Sequence, residues 1–276
     1  MELIHIFHPI SLELSRVRET LKLQFCLGDF VKHLSVDVVG HFFHASGKQL
    51  RPALVLLSAN GVPRKREFTT EQSIELALAV ELIHSASLIH DDVVDDAKVR
   101  RGRSTINEVF NTKLAVLSGD YIFARAFSIL SKDMPKNIPR MLSDCVERMC
   151  CGEINAYGKT VDSFSEYIQL IEDKTAGFMS ACCQCGAELA GIDSGSFEAL
   201  GHFGLNFGIS YQLFDDYTDQ DVDLSFDLDI VDKAVAYAEH ARESIASLKE
   251  TPYKRGLEGL LDYLIEKNVK ASIANF

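Results

Sequence analysis

Apolar residues recur at helical spacing along nearly the whole chain, and this restricts the fold more than any other feature of the sequence. Ile74, Leu78, Leu82 and Ser85–Ala86 follow one stripe. Leu114, Leu117, Tyr121 and Phe127–Leu130 follow a second, and Phe203, Phe207, Tyr211 and Phe214 a third. Sustained two-residue alternation is absent, and no Asn-Gly or Asp-Gly pair offers a hairpin turn. Breaks rich in Pro, Gly, Ser and Asp fall at 61–70, 97–105, 131–139, 158–163, 191–195, 220–225 and 250–256. They predict about nine or ten helices joined by short links. With no linker-like tract between them, the expectation is an all-α, single-domain antiparallel helical bundle over residues 1–276. Leu76–His90 and Thr175–Gly191 are apolar on most faces, as helices inside a bundle are.

Charge is concentrated after two apolar helical stretches, those ending at His90 and at Phe214. The formal net charge is −12, from 28 Lys+Arg against 40 Asp+Glu. Residues 91–96 hold four Asp and residues 215–232 hold eight, with no Lys or Arg in either stretch. Without these twelve acids the balance is 28 against 28. The pattern argues against a nucleic-acid partner, which requires a basic face. No uncharged apolar run approaches the ~18 residues of a membrane span, and the N-terminus shows no signal-peptide pattern. Seven Cys, an odd number, suggest reduced thiols and a cytoplasmic location.

Asp91 and Asp95 are one helical turn apart, and Asp215 and Asp219 repeat that spacing. Each pair aims two carboxylates at one point, which suits Mg²⁺, a cation that also takes water and phosphate oxygens. A solvated acidic face explains one such cluster equally well; two with the same DDxxD pattern after apolar helices are harder to explain that way. A calcium loop starting at Asp219 fails, because Leu224 stands where Gly is required and Ile230 where the bidentate Glu belongs. Basic groups complement the acids. Lys48 and Arg51 are three apart, as on one helical face; Arg100 and Arg101 form a Gly-bounded turn; His84 lies two turns before Asp91. Together they describe a diphosphate site without metal beside one with metal. Cys182, Cys183 and Cys185 sit in a helical run of small residues and read as buried hydrophobes more readily than as a zinc site.

The segments GKQLRP, LIHSASLIHDDVVDDAKVRRG, DKTAG and YQLFDDYTD resemble, in order and spacing, those of the trans-isoprenyl diphosphate synthases, the polyprenyl synthetase family. The likeness runs from about Gly47 to Asp219. It implies a helical bundle of isoprenoid synthase type around a deep central cavity. It implies a prenyltransferase that condenses isopentenyl diphosphate head-to-tail (1'-4) onto an allylic diphosphate such as farnesyl diphosphate. Asp91, Asp95, Asp215, Asp216 and Asp219 would hold two or three Mg²⁺ ions with the allylic diphosphate. Arg100 would hold the allylic diphosphate; Lys48, Arg51, His84 and Arg101 would hold that of isopentenyl diphosphate. Lys174, Thr175 and Gln212 would line the reacting carbons and retain the leaving group. The small residues Ser87 and Ala86, with Ile83 about one turn (~5.4 Å) deeper, imply an open tunnel and a medium or long all-trans product. Close helix packing is the competing explanation for that small pair. A homodimer is implied as well.

The resemblance weakens after Asp219. The family continues with a Lys- and Gly-rich segment; here the next Lys after Lys174 is Lys233. A flap is therefore missing between about 220 and 230, and an omitted loop is expected in preference to a true loss. Two alternatives stay open: a non-catalytic or regulatory subunit of a heteromeric synthase, and a class I terpene cyclase. The second DDxxD and the Lys48–Arg51 segment speak against the cyclase.

Overall fold

The computed structural model describes residues 2–25, 34–44, 47–158, 160–219 and 229–274; for 34–37, 219 and 269–274 it describes the backbone alone. Of the expected flap position between about 220 and 230, and of the calcium-loop residues after Asp219, 220–228 lie outside the described residues; Asp229 and Ile230 are described.

Thirteen α-helical segments occur among the described residues, more than the periodicity predicts. The excess comes from short segments and interruptions that apolar spacing does not register. α1 (Leu3–Ile6) and α6 (Ile106–Val109) are single turns. α2 is Ser11–Phe25, α3 Leu34–Phe43, α4 Leu50–Asn60, α5 Thr70–Val94 and α7 Thr112–Leu130. α8 is Asn137–Ala156, α9 Phe164–Ile171, α10 Gly177–Ala190 and α11 Ser194–Asp219. α12 is Ile230–Ser244 and α13 Pro252–Ala274. A wide π-helical turn, Glu172–Ala176, joins α9 to α10.

One correction concerns 97–105, where a two-stranded antiparallel hairpin forms. β1 (Val99–Arg100) pairs with β2 (Arg103–Ser104), with Arg100 opposite Arg103. The two turn residues, Arg101 and Gly102, have φ of 51° and 73°. Two-residue hairpins of the favoured twist need positive φ at both central positions. Arg101 takes the place usually filled by Asn or Asp, so the sequence carried no recognisable signal for it.

The chain divides into two compact units. The first comprises residues 12–53 and 69–134. In it α5 packs along α7, and the hairpin follows the end of α5. α5 begins with a reciprocal cap: Gln72 N–H donates to Thr69 Oγ1 at 3.1 Å, and Thr69 N–H donates to Gln72 Oε1 at 2.9 Å. Its interior is continuous core: Leu76, Ala77, Ala79, Val80, Leu82, Ile83 and Ala86 are wholly buried. By length and composition α5 could cross a membrane, contrary to the expectation of no such run. With 72% of its most apolar window buried, it is a core helix of the unit.

The second unit comprises residues 1–11, 54–68 and 135–276. Here α10, α11 and α12 pack in series, and the π turn lies against α8 and α11. Phe178, Phe203, Phe207 and Phe214 are fully buried, each removing roughly 150–250 Å² from water. Cys182, Cys183 and Cys185 are fully buried on α10. Burial pushes the Cys183 thiol up to about 12, only partly offset by a hydrogen bond with Ser58, and pushes Cys185 up as well. Within the α10 core these three side chains pack as small apolar groups.

Candidate active site

In the first unit a cationic group forms around α5. Gln49 has φ of 54°, and its carbonyl accepts the N–H of Ala53 at 3.0 Å, so α4 starts only at Leu50. Lys48 is therefore exposed and lies before the helix, which corrects the expectation that it shares a helical face with Arg51. Arg51, in the first turn of α4, meets His84 on α5: Arg51 Nη1 lies 2.9 Å from His84 Nε2. A guanidinium only donates, so Nε2 accepts and the ring proton sits on Nδ1. Burial lowers the His84 pKa well below the usual imidazole range, and Arg51, Arg101 and Arg100 lower it further. His84 is thus a neutral imidazole. One turn earlier, burial pushes the Glu81 carboxyl up, opposed by Arg51 and Arg101. Arg101 reaches this group from the hairpin turn. Its guanidinium packs on Gly47, where a methyl group would sit 3.0 Å from Nη1.

The acidic end of α5 divides into different environments. Asp95 caps the helix, its N–H donating to the Asp91 carbonyl at 2.8 Å; it is exposed, and Asp91 is half-buried. Asp92 is buried, and its Oδ1 accepts from Arg100 Nε at 2.5 Å. Burial raises the Asp92 pKa more than this pairing lowers it. Arg100, expected to meet a diphosphate, thus also anchors the hairpin to α5. Asn107 Nδ2 completes the anchor, donating to the carbonyls of Asp92 at 3.2 Å and Ala97 at 3.0 Å. Ala86 and Ile83 are fully buried on α5, and Ser87 Oγ donates to the His84 carbonyl at 2.9 Å.

In the second unit the π turn and the end of α11 form a polar chain. The Gly177 N–H donates to the Glu172 carbonyl, five residues back, so the turn is one residue wider than an α turn. α11 approaches it closely because residue 208 is Gly: a Cβ there would sit 2.6 Å from Ala176 Cα. Lys174 Nζ pairs with Glu153 Oε2 of α8 at 2.5 Å. Thr175 Oγ1 donates to Gln212 Oε1 at 3.2 Å, and Gln212 Nε2 donates to Asp216 Oδ1 at 2.8 Å. The second oxygen of Asp216 accepts the hydroxyl of Tyr167. Tyr167 is 5% exposed, and burial, followed by Asp216, raises its pKa. Asp215 is exposed, and the side chain of Asp219 lies outside the described residues.

The structure therefore brings Arg51, His84 and Arg101 together, and likewise Thr175, Gln212 and Asp216. Sequence reasoning missed Glu81, Glu153 and Tyr167. Glu81 was visible as a lone charge in an apolar run. Tyr167 carried no signal, because one aromatic on an amphipathic helix looks like core.

The family model described as "Polyprenyl synthetase" matches residues 32–225. The chain is 36% identical over 221 residues to a "Prenyl transferase" of Porphyra purpurea, covering 78% of this chain and 66% of that protein. It is 38% identical over 183 residues to "Heptaprenyl diphosphate synthase component 2" of Geobacillus stearothermophilus, covering 65% of this chain and 56% of that one. It spans about half to two thirds of the length of such curated relatives. Among solved structures, a polyprenyl synthase from Caulobacter crescentus, complexed with calcium and isoprenyl diphosphate, superposes with a TM-score of 0.85. That alignment covers 97% of this chain and 98% of that chain at 23% identity, and shows that the all-α fold is shared. The match across more than half of its length establishes that the chain belongs to the polyprenyl synthetase family.

Proposed function

We propose that the protein is a Mg²⁺-dependent polyprenyl diphosphate synthase. It condenses isopentenyl diphosphate head-to-tail onto an allylic diphosphate, in successive steps, to a medium or long all-trans chain. One observation carries this reading. α5 holds both His84, within the Arg51–Arg101 cationic group, and Asp91, seven residues later and about 10 Å along the helix. A diphosphate bound by cations and one bound through metal would then lie two helical turns apart.

The carboxylates fit the metal. They are hard oxygen donors, and Asp91 with Asp95 forms a pair one turn apart. Among the described residues no three His, Cys, Asp or Glu side chains cluster as a complete cage. Mg²⁺ takes one or two carboxylates and draws further ligands from water and phosphate. Asp91, Asp95, Asp215, Asp216 and Asp219 are the proposed ligands for two or three ions. When bound, Mg²⁺ would supply counter-charge to the departing diphosphate.

The chain's own residues have separate tasks. Lys48, Arg51 and Arg101 bind the diphosphate of isopentenyl diphosphate, with neutral His84 offering Nδ1–H as a fourth donor. Arg100 holds the allylic diphosphate. Lys174 retains the leaving group, and Thr175 and Gln212 face the reacting carbons. The allylic C–O bond breaks, the isopentenyl double bond attacks the resulting cation, and the departing diphosphate takes the proton lost. The apolar helices keep water from the cation. Ala86, Ser87 and Ile83 leave room for a growing chain, consistent with a relative named as a heptaprenyl diphosphate synthase component. A single synthase domain over residues 1–276 and a homodimer belong to this proposal. The cytoplasmic location belongs to this proposal too, supported by six cysteines that form no disulfide among the described residues.

A second reading, a subunit that works with a partner chain, is favoured by that relative's name, "component 2". Incubation of the isolated chain with Mg²⁺, isopentenyl diphosphate and geranyl, farnesyl or geranylgeranyl diphosphate separates the two. Long products from the chain alone support the first reading; turnover only after a partner is added supports the second.

A further inference from the structure

We propose that Tyr167 is a positioning residue of the condensation site: its hydroxyl fixes Asp216 and, through Asp216, sets the direction of the Gln212–Thr175 pair. This rests on the synthase reading and goes beyond it, because no site residue was expected on α9.

Hydrogen-bond direction carries the assignment. An ionised carboxylate only accepts, so Asp216 requires donors at both oxygens. Tyr167 supplies one and the Gln212 amide nitrogen the other. A glutamine amide is nearly symmetric in shape, and only its partners decide which end points where. Asp216 draws the NH₂ end, which leaves the C=O end for the Thr175 hydroxyl at 3.2 Å. Thr175 is therefore oriented by a chain that begins at a phenol eight residues before it.

Tyr167 is suited to that start. Its ring is buried, 6.3 Å from the ring of Phe164, and α9 is fixed at its start by Ser163 Oγ accepting the Glu166 N–H at 3.2 Å. A buried phenol hydroxyl needs a partner, and here the partner is a proposed metal ligand. Outer-shell donors of this kind orient ligating carboxylates. Without the hydroxyl, Asp216 can rotate, Gln212 can turn over, and Thr175 can lose its acceptor.

The test is a double-mutant cycle of the full chain with Tyr167→Phe, Asp216→Asn and both. Two readouts are taken: kcat and KM for isopentenyl diphosphate, and the rise in Tm produced by Mg²⁺ with inorganic pyrophosphate in the absence of turnover. Tyr167→Phe should lower kcat roughly tenfold with KM for isopentenyl diphosphate nearly unchanged, and should shrink the Mg²⁺–pyrophosphate shift. In the Asp216→Asn background it should change either readout less than about twofold, because coupled residues are non-additive. Full additivity, or an unchanged shift in Tyr167→Phe, would overturn the role of Tyr167 while leaving the synthase reading in place. Wild-type turnover by Asp216→Asn would instead overturn the site reading itself.

Discussion

Arg51 sets the tautomer of His84 by donating to its Nε2, and burial, followed by the surrounding cations, keeps a second proton off the ring. This has a consequence for stability. The folded protein holds His84 neutral at pH values where the unfolded chain, with a pKa of about 6.5, takes up a proton. Stability is then lost as pH falls below that value, with a slope limited to about 1.4 kcal/mol per pH unit for one proton. Glu81 acts in the opposite sense, since its raised pKa favours the fold as pH falls. It is present in both proteins compared, so the proton at His84 is the group that differs between them. The urea midpoint of the wild type should therefore fall more between pH 7 and pH 5 than that of His84→Gln; equal falls would contradict the neutral assignment. At this scale the sequence exposed residue types and spacing. It placed Arg51 and His84 in one expected site and Asp91 in another beside it, but not the Asp92–Arg100 contact, because the eight-residue separation crosses a helix end and a turn whose path no periodicity reveals.

The hairpin is the element most dependent on such contacts. It has only two paired positions, and a strand pair that short has little stability of its own. Arg100 and Asn107 tie it to the end of α5, and that tie carries Arg101 toward Arg51 and His84. Arg100→Gln leaves the buried Asp92 carboxylate without its cation and should cost about 1–3 kcal/mol. Asp92→Asn added to it should recover part of that loss, because the unpaired charge is removed. Chemical denaturation of both proteins checks this; a double variant less stable than the single one would exclude Asp92 as the source of the cost. Helix existence was legible from apolar spacing because burial imposes it on whole faces. Helix starts were not: one left-handed residue, Gln49, moves Lys48 off α4 without disturbing any stripe. The π turn was equally silent, since one extra residue per turn leaves the apolar pattern of α9 and α10 almost unchanged.

For the whole molecule, the charge of −12 has a specific distribution: the excess acids fall in residues 91–96 and 215–232, of which 220–228 lie outside the described residues. In the proposed synthase Mg²⁺ is the counter-charge of the five ligating Asp, while the five from Asp221 to Asp232 have no such role, and the product would grow along small residues of α5. Ala86 is fully buried, so a ring at that position must displace whatever occupies the space beside it. Ala86→Phe should shift the product distribution to shorter chains, read by chromatography after removal of the diphosphates; an unchanged distribution would favour close helix packing as the reason for the small residue. Family membership was legible across four separate motifs. The fate of the lysine-bearing segment was not, as the residues concerned are 220–228.

The product assay bears on the proposed reaction without intermediaries. The purified chain is incubated with isopentenyl diphosphate and farnesyl diphosphate, with Mg²⁺ and then with Mg²⁺ removed by chelation. A Mg²⁺-dependent synthase should give all-trans products several isoprene units longer than the primer, with loss of turnover on chelation and recovery when Mg²⁺ is restored. Turnover that persists after chelation, or cyclised hydrocarbon in place of a longer diphosphate, would contradict that reading.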